Sequence, residues 1–367
     1  MKKIIIAAFI VFLSYGCGQK TPIKIGFAGN LSGKMSDLGT DARNGAILAV
    51  EKINSEGGID GRDIELIVKD DEGNAETAKK IDQELIDEKV SLIIGHVLSG
   101  MSLAALPLMN EKQMLLFSPT SVSNAFTGKD DFFIRTSAAT KAAIDTFADY
   151  TFQTLKINKV SFVYDLSNKG YTEDWYKNFS SRFEKIGGSV KKVKTYTSNP
   201  DNDYGKLVQD LAFDDQAIVI VGGPLDAALI CQQIRKFNSK TPILIAGSAV
   251  AEALIQNGGK SVEGVFLSYN FDQNSEIPQF KEFKEAFQKR FGNSPNFTAK
   301  YSYETVMVIQ SVLTGMKDPD PVKIKKAILD KAVFEGLQGK IELDANGDAQ
   351  PAVFFFTVEN GKFKRIY

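Results

Sequence analysis

The stretch Ser91-Leu-Ile-Ile-Gly-His-Val-Leu-Ser-Gly100 reads as a short apolar strand to Ile94, a tight turn, and the opening of an apolar helix that runs to about Asn110. A second apolar strand, Met114-Leu-Leu-Phe117, follows and ends in Ser118-Pro-Thr-Ser-Val-Ser123. Strand, helix and strand in that order pair in parallel through a right-handed crossover. Both hydroxyl-rich loops therefore fall side by side at the carboxyl edge of one sheet, where open α/β sheets hold ligands. Neither loop pairs a nucleophile with a base, so the arrangement points to binding and no catalytic residue is expected. Ser99 stands at a helix start, where unpaired amides and the helix dipole favour an anion. The alternative is plainer: Ser99 caps the helix and residues 118–123 form a polar turn.

Working outward, Ile23-Lys-Ile-Gly-Phe-Ala28 reads as a first strand and Gly29 to Gly33 as a glycine-punctuated loop. Ala42, Ala46, Ala49, Val50 and Ile53 recur at helical spacing, and Gly57-Gly58 stops that helix. Ile64 to Val68 is a strand, Asp70 to Asn74 a capped, solvated turn and Ala75 to Glu88 a helix. Phe132 to Arg135 closes this first run, and Thr136 to Thr140 is a crossover. The rhythm then restarts, with strands at Lys159 to Tyr164, Ser189 to Tyr196, Ala217 to Val221, Ile243 to Ala246 and Val265 to Ser268, separated mostly by helices. Helices predominate from Ile277 to Asp330, and strands at Lys340 to Leu343, Ala352 to Val358 and Phe363 to Tyr367 finish the chain. The fold class is α/β: two doubly wound units, with a tail that returns to the first unit and ends on the second. Three crossings between the units make a hinge.

At 367 residues the chain suits two domains, and a formal net charge of -1 with 24% charged residues describes an ordinary soluble surface with no nucleic-acid footprint. One His and two Cys are too few to build a zinc or haem site, so no metal or cofactor is expected. Lys2-Lys3, the apolar run Ile4 to Leu13 and Ser14-Tyr-Gly-Cys17 have the zones of an export signal, and the apolar run is too short to span a bilayer. Gly16-Cys17 looks like a lipoprotein cleavage site, although Ser14 stands where Leu is usual; secretion with a free Cys17 is the alternative. Cys231, in an apolar-periodic segment, is expected to be a buried thiol.

From about Ile23 onward the chain resembles the type I periplasmic solute-binding proteins, and within them the leucine/isoleucine/valine-binding branch. The markers are Gly29-Asn-Leu-Ser-Gly33 with Leu38-Gly39, Asn54 to Ile59, Asp70-Asp71, Ile94-Gly-His96 with Ser99, Phe117-Ser-Pro119 with Thr127, Phe133 with Arg135, and Tyr303-Glu304. The resemblance implies two Rossmann-like lobes joined by a three-strand hinge: residues 18–138 plus 272–343 as lobe 1 and 139–271 plus 344–367 as lobe 2, after a signal peptide at 1–17. It implies a monomer, periplasmic or on the cell surface, held to the membrane only through lipid on Cys17, with ABC permease subunits as partners. It also implies a small amino acid or related carboxylate in the cleft, gripped by Ser99 and by Thr120, Ser121 and Ser123. Leu38 matches a pocket-lining aromatic of some relatives, and Tyr171 lies near an aromatic supplied by the second lobe, unless it is a surface-loop residue.

The resemblance breaks at two points. Val122 stands where a Thr is common, and Ala249 stands near the Glu that pairs with the ligand ammonium in leucine binders. Asp226 or Glu252 is a candidate replacement for that Glu, and Asp226 is equally a candidate helix cap. His96, without a second His or Cys beside it, is expected to be a structural turn residue, and the disulfide that some relatives place near it is absent. A competing function keeps the fold but leaves the cleft empty, as a receptor domain or an activator of cell-wall enzymes that acts through protein contacts.

Overall fold

The computed structural model describes residues 20–366 apart from 34, 140, 210, 212–216, 239, 270 and 351–353, and apart from the side chain of residue 142. The expected signal peptide and Cys17 lie outside the described residues. The first unit alternates β1 (Ile23–Gly29), α1 (Ser36–Ser55), β2 (Ile64–Asp70), α2 (Ala75–Asp87), β3 (Ile93–Ile94), α3 (Ser99–Lys112), β4 (Leu116–Ser118) and β5 (Phe133–Arg135). The second runs α4 (Lys141–Asp149), β6 (Lys159–Asp165), α5 (Lys169–Lys185), β7 (Ser189–Tyr196), α6 (Tyr204–Gln209), β8 (Ala217–Val221), α7 (Pro224–Phe237), β9 (Ile243–Ile245), α8 (Glu252–Gly258) and β10 (Phe266–Tyr269). The tail holds α9 (Pro278–Phe291), α10 (Phe297–Leu313), α11 (Pro321–Lys331), β11 (Val333–Gly336), β12 (Gly339–Glu342), β13 (Phe354–Glu359) and β14 (Lys362–Arg365).

The first sheet has the order β2-β1-β3-β4-β5, all parallel, and the second the order β14-β13-β10-β9-β8-β6-β7. In the second sheet only β13 runs against the other strands, antiparallel to both of its neighbours, β10 and β14. In each sheet a strand has its successors on opposite sides, β1 between β2 and β3, and β6 between β7 and β8, which opens a crevice at the carboxyl edge. The tail does both things expected of it. Helix α10 packs along α1, where Gly45 lets the backbone of Ala299 approach so closely that a Cβ would lie 2.1 Å from its carbonyl oxygen. Strand β13 joins the second sheet, with Phe355 stacked against Phe147 and Tyr150.

Several elements differ from expectation. Strands β3 and β4 pair over only two or three residues, because their ends turn at once into the loops beyond. Helix α8 and strand β11 are additional; β11 pairs with β12 in a separate hairpin, so the Lys340 segment belongs to neither large sheet. Cys231 is a free, fully buried core thiol, its pKa pushed up to about 12 by burial.

An ion pair ties the end of β5 to the turn at 344–348. Arg135, fully buried at the end of β5, pairs with Asp348 at 2.6 Å. Its remaining donors reach the carbonyls of Ser121 (3.3 Å) and Ser123 (2.9 Å) and the hydroxyl of Thr127 (2.9 Å).

The turn after β3 is fixed by a buried ion cluster. His96 Nδ1 lies 2.7 Å from Asp71 and Nε2 3.1 Å from Asp82, all three side chains shut off from solvent. Asp71 is therefore not the solvated turn residue expected; only Asp70 behaves so, accepting the amides of Leu31 and Glu72 at 2.8 Å. Burial alone would lower the His96 pKa, but the charges of Asp82 and Asp71 and the hydrogen bonds to them outweigh it and raise it from 6.5 to about 10. An imidazolium thus ties the turn after β2 and helix α2 to the loop that leads into α3.

A group whose folded pKa is raised stabilises the fold fully below its unfolded value and loses that contribution as pH rises through the folded value. The contribution of His96 is accordingly complete below pH 6.5 and declines up to about pH 10, by at most about 1.4 kcal/mol per pH unit. Chemical denaturation of wild type and His96→Gln across pH 6–10 should show the gap between them narrowing as pH rises; a constant gap would mean a neutral imidazole.

Candidate functional site

A partly open cleft lies between the carboxyl edges of the two sheets. From the first sheet come Ser99 after β3, Thr120 and Val122 after β4, and Ser137 after β5. From the second come Asn168, Tyr171 and Trp175 after β6, Gly222 and Gly223 after β8, Gly247 and Ser248 after β9, and Tyr269 at the end of β10. Met35, Leu38, Phe297 and Tyr301 complete the wall from α1, its approach and α10. About 90 Å³ is open to the centres of water molecules, room for on the order of six to nine non-hydrogen atoms.

Ser99 is 2% exposed and is the first helical residue of α3; the cap position is Leu98, which makes no side-chain cap bond. The cap reading of Ser99 therefore fails. Its Oγ instead accepts the amide of Val122 at 3.2 Å, stitching the loop after β4 to that after β3 and leaving the hydroxyl proton for another acceptor. Thr120 donates to the carbonyl of Val97 at 2.7 Å. Leu38 and Tyr171 also line the space, and Tyr171 is a buried residue of α5, not of a surface loop. Its phenol, bonded to Ser248, is pushed up to about 12 by burial and stays protonated.

Four expected residues do not reach the wall. Ser121 turns back into the fold, with Oγ 2.7 Å from Ser102 Oγ and 3.2 Å from the carbonyl of His96. Ser123 caps the short turn Asn124–Phe126, accepting the amide of Ala125 at 3.2 Å, and donates to Asp174 at 3.3 Å. Asp226 is 1% exposed and takes the hydroxyl of Tyr204 at 2.5 Å; α7 is capped by Gly223, so Asp226 is neither a wall residue nor the cap. Ala249 is buried at the end of the turn Gly247–Ala249, and Ser248 forms the wall in its place.

Ser137, Asn168, Trp175, Ser248, Tyr269, Phe297 and Tyr301 were not expected in the wall. Ser137 carried the clearest signal, a third hydroxyl following a third parallel strand. It is 2% exposed, and its Oγ has no protein partner.

Contacts across the cleft are short. Asn168 accepts the amide of Gly100 at 3.0 Å, and a Cβ on Gly170 would stand 3.2 Å from the backbone nitrogen of Gly100, so the starts of α3 and α5 meet through glycine. Asp174 of α5 accepts the amide of Asn124 at 2.7 Å. Among the described residues lining the space none is charged. Asp37 and Asp41 on α1 lie outside it, each raised to about 6 chiefly by burial.

A protein-family model described as periplasmic binding protein matches residues 22–362. The Leu/Ile/Val-binding protein homolog 3 of Brucella melitensis is 24% identical over 363 residues, covering 97% of this chain and 96% of its own. The leucine binding protein LivK from Thermotoga maritima superposes with a TM-score of 0.86 at 27% identity, over 94% of this chain and 98% of that one. A solute binding protein of an ABC transporter from R. palustris, in complex with benzoate, superposes with a TM-score of 0.84 at 19% identity over 94% of this chain and 95% of that one, a likeness of fold alone. These are binding proteins and not enzymes, which agrees with a cleft that brings together no nucleophile and base. With a matched model running almost end to end and the two-sheet cleft it requires, the chain belongs to the periplasmic binding protein family.

Proposed function

We propose that the chain is the solute-capturing component of an ABC importer, outside the cytoplasmic membrane and held there by lipid on Cys17. It holds a small amino acid or related carboxylate between its two sheets and hands it to permease subunits. The observation that carries this reading is the cleft itself, with hydroxyls from three successive strand ends on one side and Tyr171, Trp175 and Ser248 on the other. Relatives named for leucine, isoleucine and valine support the size of ligand. A scaffold that works through its surface has no need of hydroxyls buried around an internal space, which disfavours the empty-cleft reading.

Capture proceeds by closure. Ser99 and its neighbours bind first, and the second sheet adds contacts only when the starts of α3 and α5 meet. Turning a 99:1 open population into 1:99 takes about 5.5 kcal/mol of differential affinity. A micromolar ligand has about 8 kcal/mol in all, so much of its binding energy must come from the second sheet.

Thermal-shift screening of amino acids and short organic acids tests the reading, and a melting point that no small ligand moves would return the empty-cleft alternative. Ser99→Ala should weaken the best ligand tenfold or more by calorimetry, the worth of a hydrogen bond to a charged group; unchanged affinity would remove Ser99 from the site. Asp174→Ala, which touches no ligand, should weaken binding about three- to tenfold by deleting bonds made only in the closed form. Unchanged affinity in that variant would mean that the contacts at Asn124 do not contribute to closure.

A further inference from the structure

We infer that the space takes a monocarboxylate with a compact apolar body and no ammonium group, in preference to the corresponding α-amino acid; this rests on the ligand-binding reading above and narrows it. The wall supplies donors for an anion. Ser99 accepts from Val122 and so points its own O–H elsewhere, at the positive end of a 14-residue helix. Ser137, 2% exposed and lining the same space, has a hydroxyl with no protein partner. The two residues follow β3 and β5, which flank β4 in one sheet, so their hydroxyls approach from either side of the β4 loop. The phenol of Tyr269, buried in the same wall, also lacks a hydrogen-bond partner, and such buried, unpartnered hydroxyls mark a place where something else is bound.

The same wall offers a cation nothing comparable. No aspartate or glutamate is among the described lining residues. The carboxylates nearby stand outside the wall: Asp165, next to Gly222, accepts the amides of Ser167 (2.8 Å) and Ser198 (3.0 Å) through one oxygen while its other oxygen has no hydrogen-bond partner, Asp226 accepts from Tyr204 (2.5 Å), Asp174 accepts from Asn124 (2.7 Å), and the Asp37 pKa is raised to about 6 by burial. Val122 brings methyl groups to the wall beside Ser99, and Leu38, Leu98, Ile144, Trp175 and Phe297 enclose the remainder. Moving an ammonium from water into such a space, with no carboxylate against it, removes more solvation than hydroxyl and carbonyl oxygens return. A carboxylate alone meets the hydroxyls of Ser99, Ser137 and Tyr269 and leaves an apolar body for the apolar side.

Calorimetry on the purified protein with pairs that differ only in the ammonium group tests this: 4-methylpentanoate against leucine, 3-methylbutanoate against valine, and phenylacetate against phenylglycine. In the best-binding pair the acid without the amino group should bind at least tenfold more tightly, and Ser137→Ala should lower its affinity about tenfold. An amino acid that binds as tightly as its partner, or more tightly, overturns this inference and leaves the solute-binding reading standing. Binding by no member of any pair overturns both. If Ser137→Ala folds and binds like wild type, the assignment of the carboxylate to Ser137 falls; if it fails to fold, the pairwise comparison on wild type still decides the ligand class.

Discussion

The ion cluster of His96 with Asp71 and Asp82 is the constraint on which the geometry of the cleft depends. Ser99 can face a ligand only if the three residues before it hold their course. That course is set at both ends of the imidazole ring, one nitrogen on the turn after β2 and the other on α2. The backbone of His96 carries the constraint onward: its carbonyl accepts the hydroxyls of Ser118 (2.9 Å) and Ser121 (3.2 Å), so the loop after β4 is hung from the loop after β3. Three charges shut off from water are costly unless mutually satisfied, and removing one leaves the others exposed to a low dielectric. Two electrostatic links thus occupy the place where a covalent staple would also serve.

A second buried pair ties distant parts of the chain together. Arg135 ends the last strand of the first sheet and Asp348 stands in the turn after β12, so their contact ties the two segments. Because the same guanidinium holds the carbonyls of Ser121 and Ser123, that tie and the loop after β4 share one anchor. Across the cleft, the starts of α3 and α5 are the surfaces that meet. Their glycines matter for that reason: a side chain at Gly170 would hold the helices apart by roughly its own width.

Much of the fold is legible in the sequence because burial of parallel strands on both faces leaves unbroken apolar runs, such as Ala217 to Val221, that little else produces. Alternation of such runs with helical periodicity then dictates a doubly wound sheet. Helix α8 has only seven residues and no periodicity to announce it, and β11 exists only by pairing with β12, so neither is readable locally. The site is less legible, and for a definite reason. Ser99, Thr120, Leu38 and Tyr171 follow strand ends or open helices, where position along the chain nearly fixes position in space. Ser121 and Ser137 are the same residue type beyond neighbouring strands, yet one faces inward and the other the cavity. The difference is the carbonyl of His96, which captures Ser121, and no local pattern encodes it. Tyr301 reaches the wall from α10 only because the tail returns to pack on α1, a long-range consequence invisible in its own neighbourhood.

Polar residues in this cleft therefore divide by what already satisfies them, and chemical type alone does not sort them. Asp226 looks like an ammonium partner by type but is spent on Tyr204, and Ser123 looks like a ligand hydroxyl but is spent on Asp174 and the turn it caps. Such internal use is what makes the remaining groups informative. A hydroxyl that the fold could have satisfied and did not, as at Ser137, has been held in place by everything around it at a cost to the empty protein. The cost is recovered only when a ligand oxygen arrives. The charge of that oxygen matters because the described lining residues supply no counter-ion, a condition in which buried O–H groups and a helix start discriminate strongly between an anion and a zwitterion.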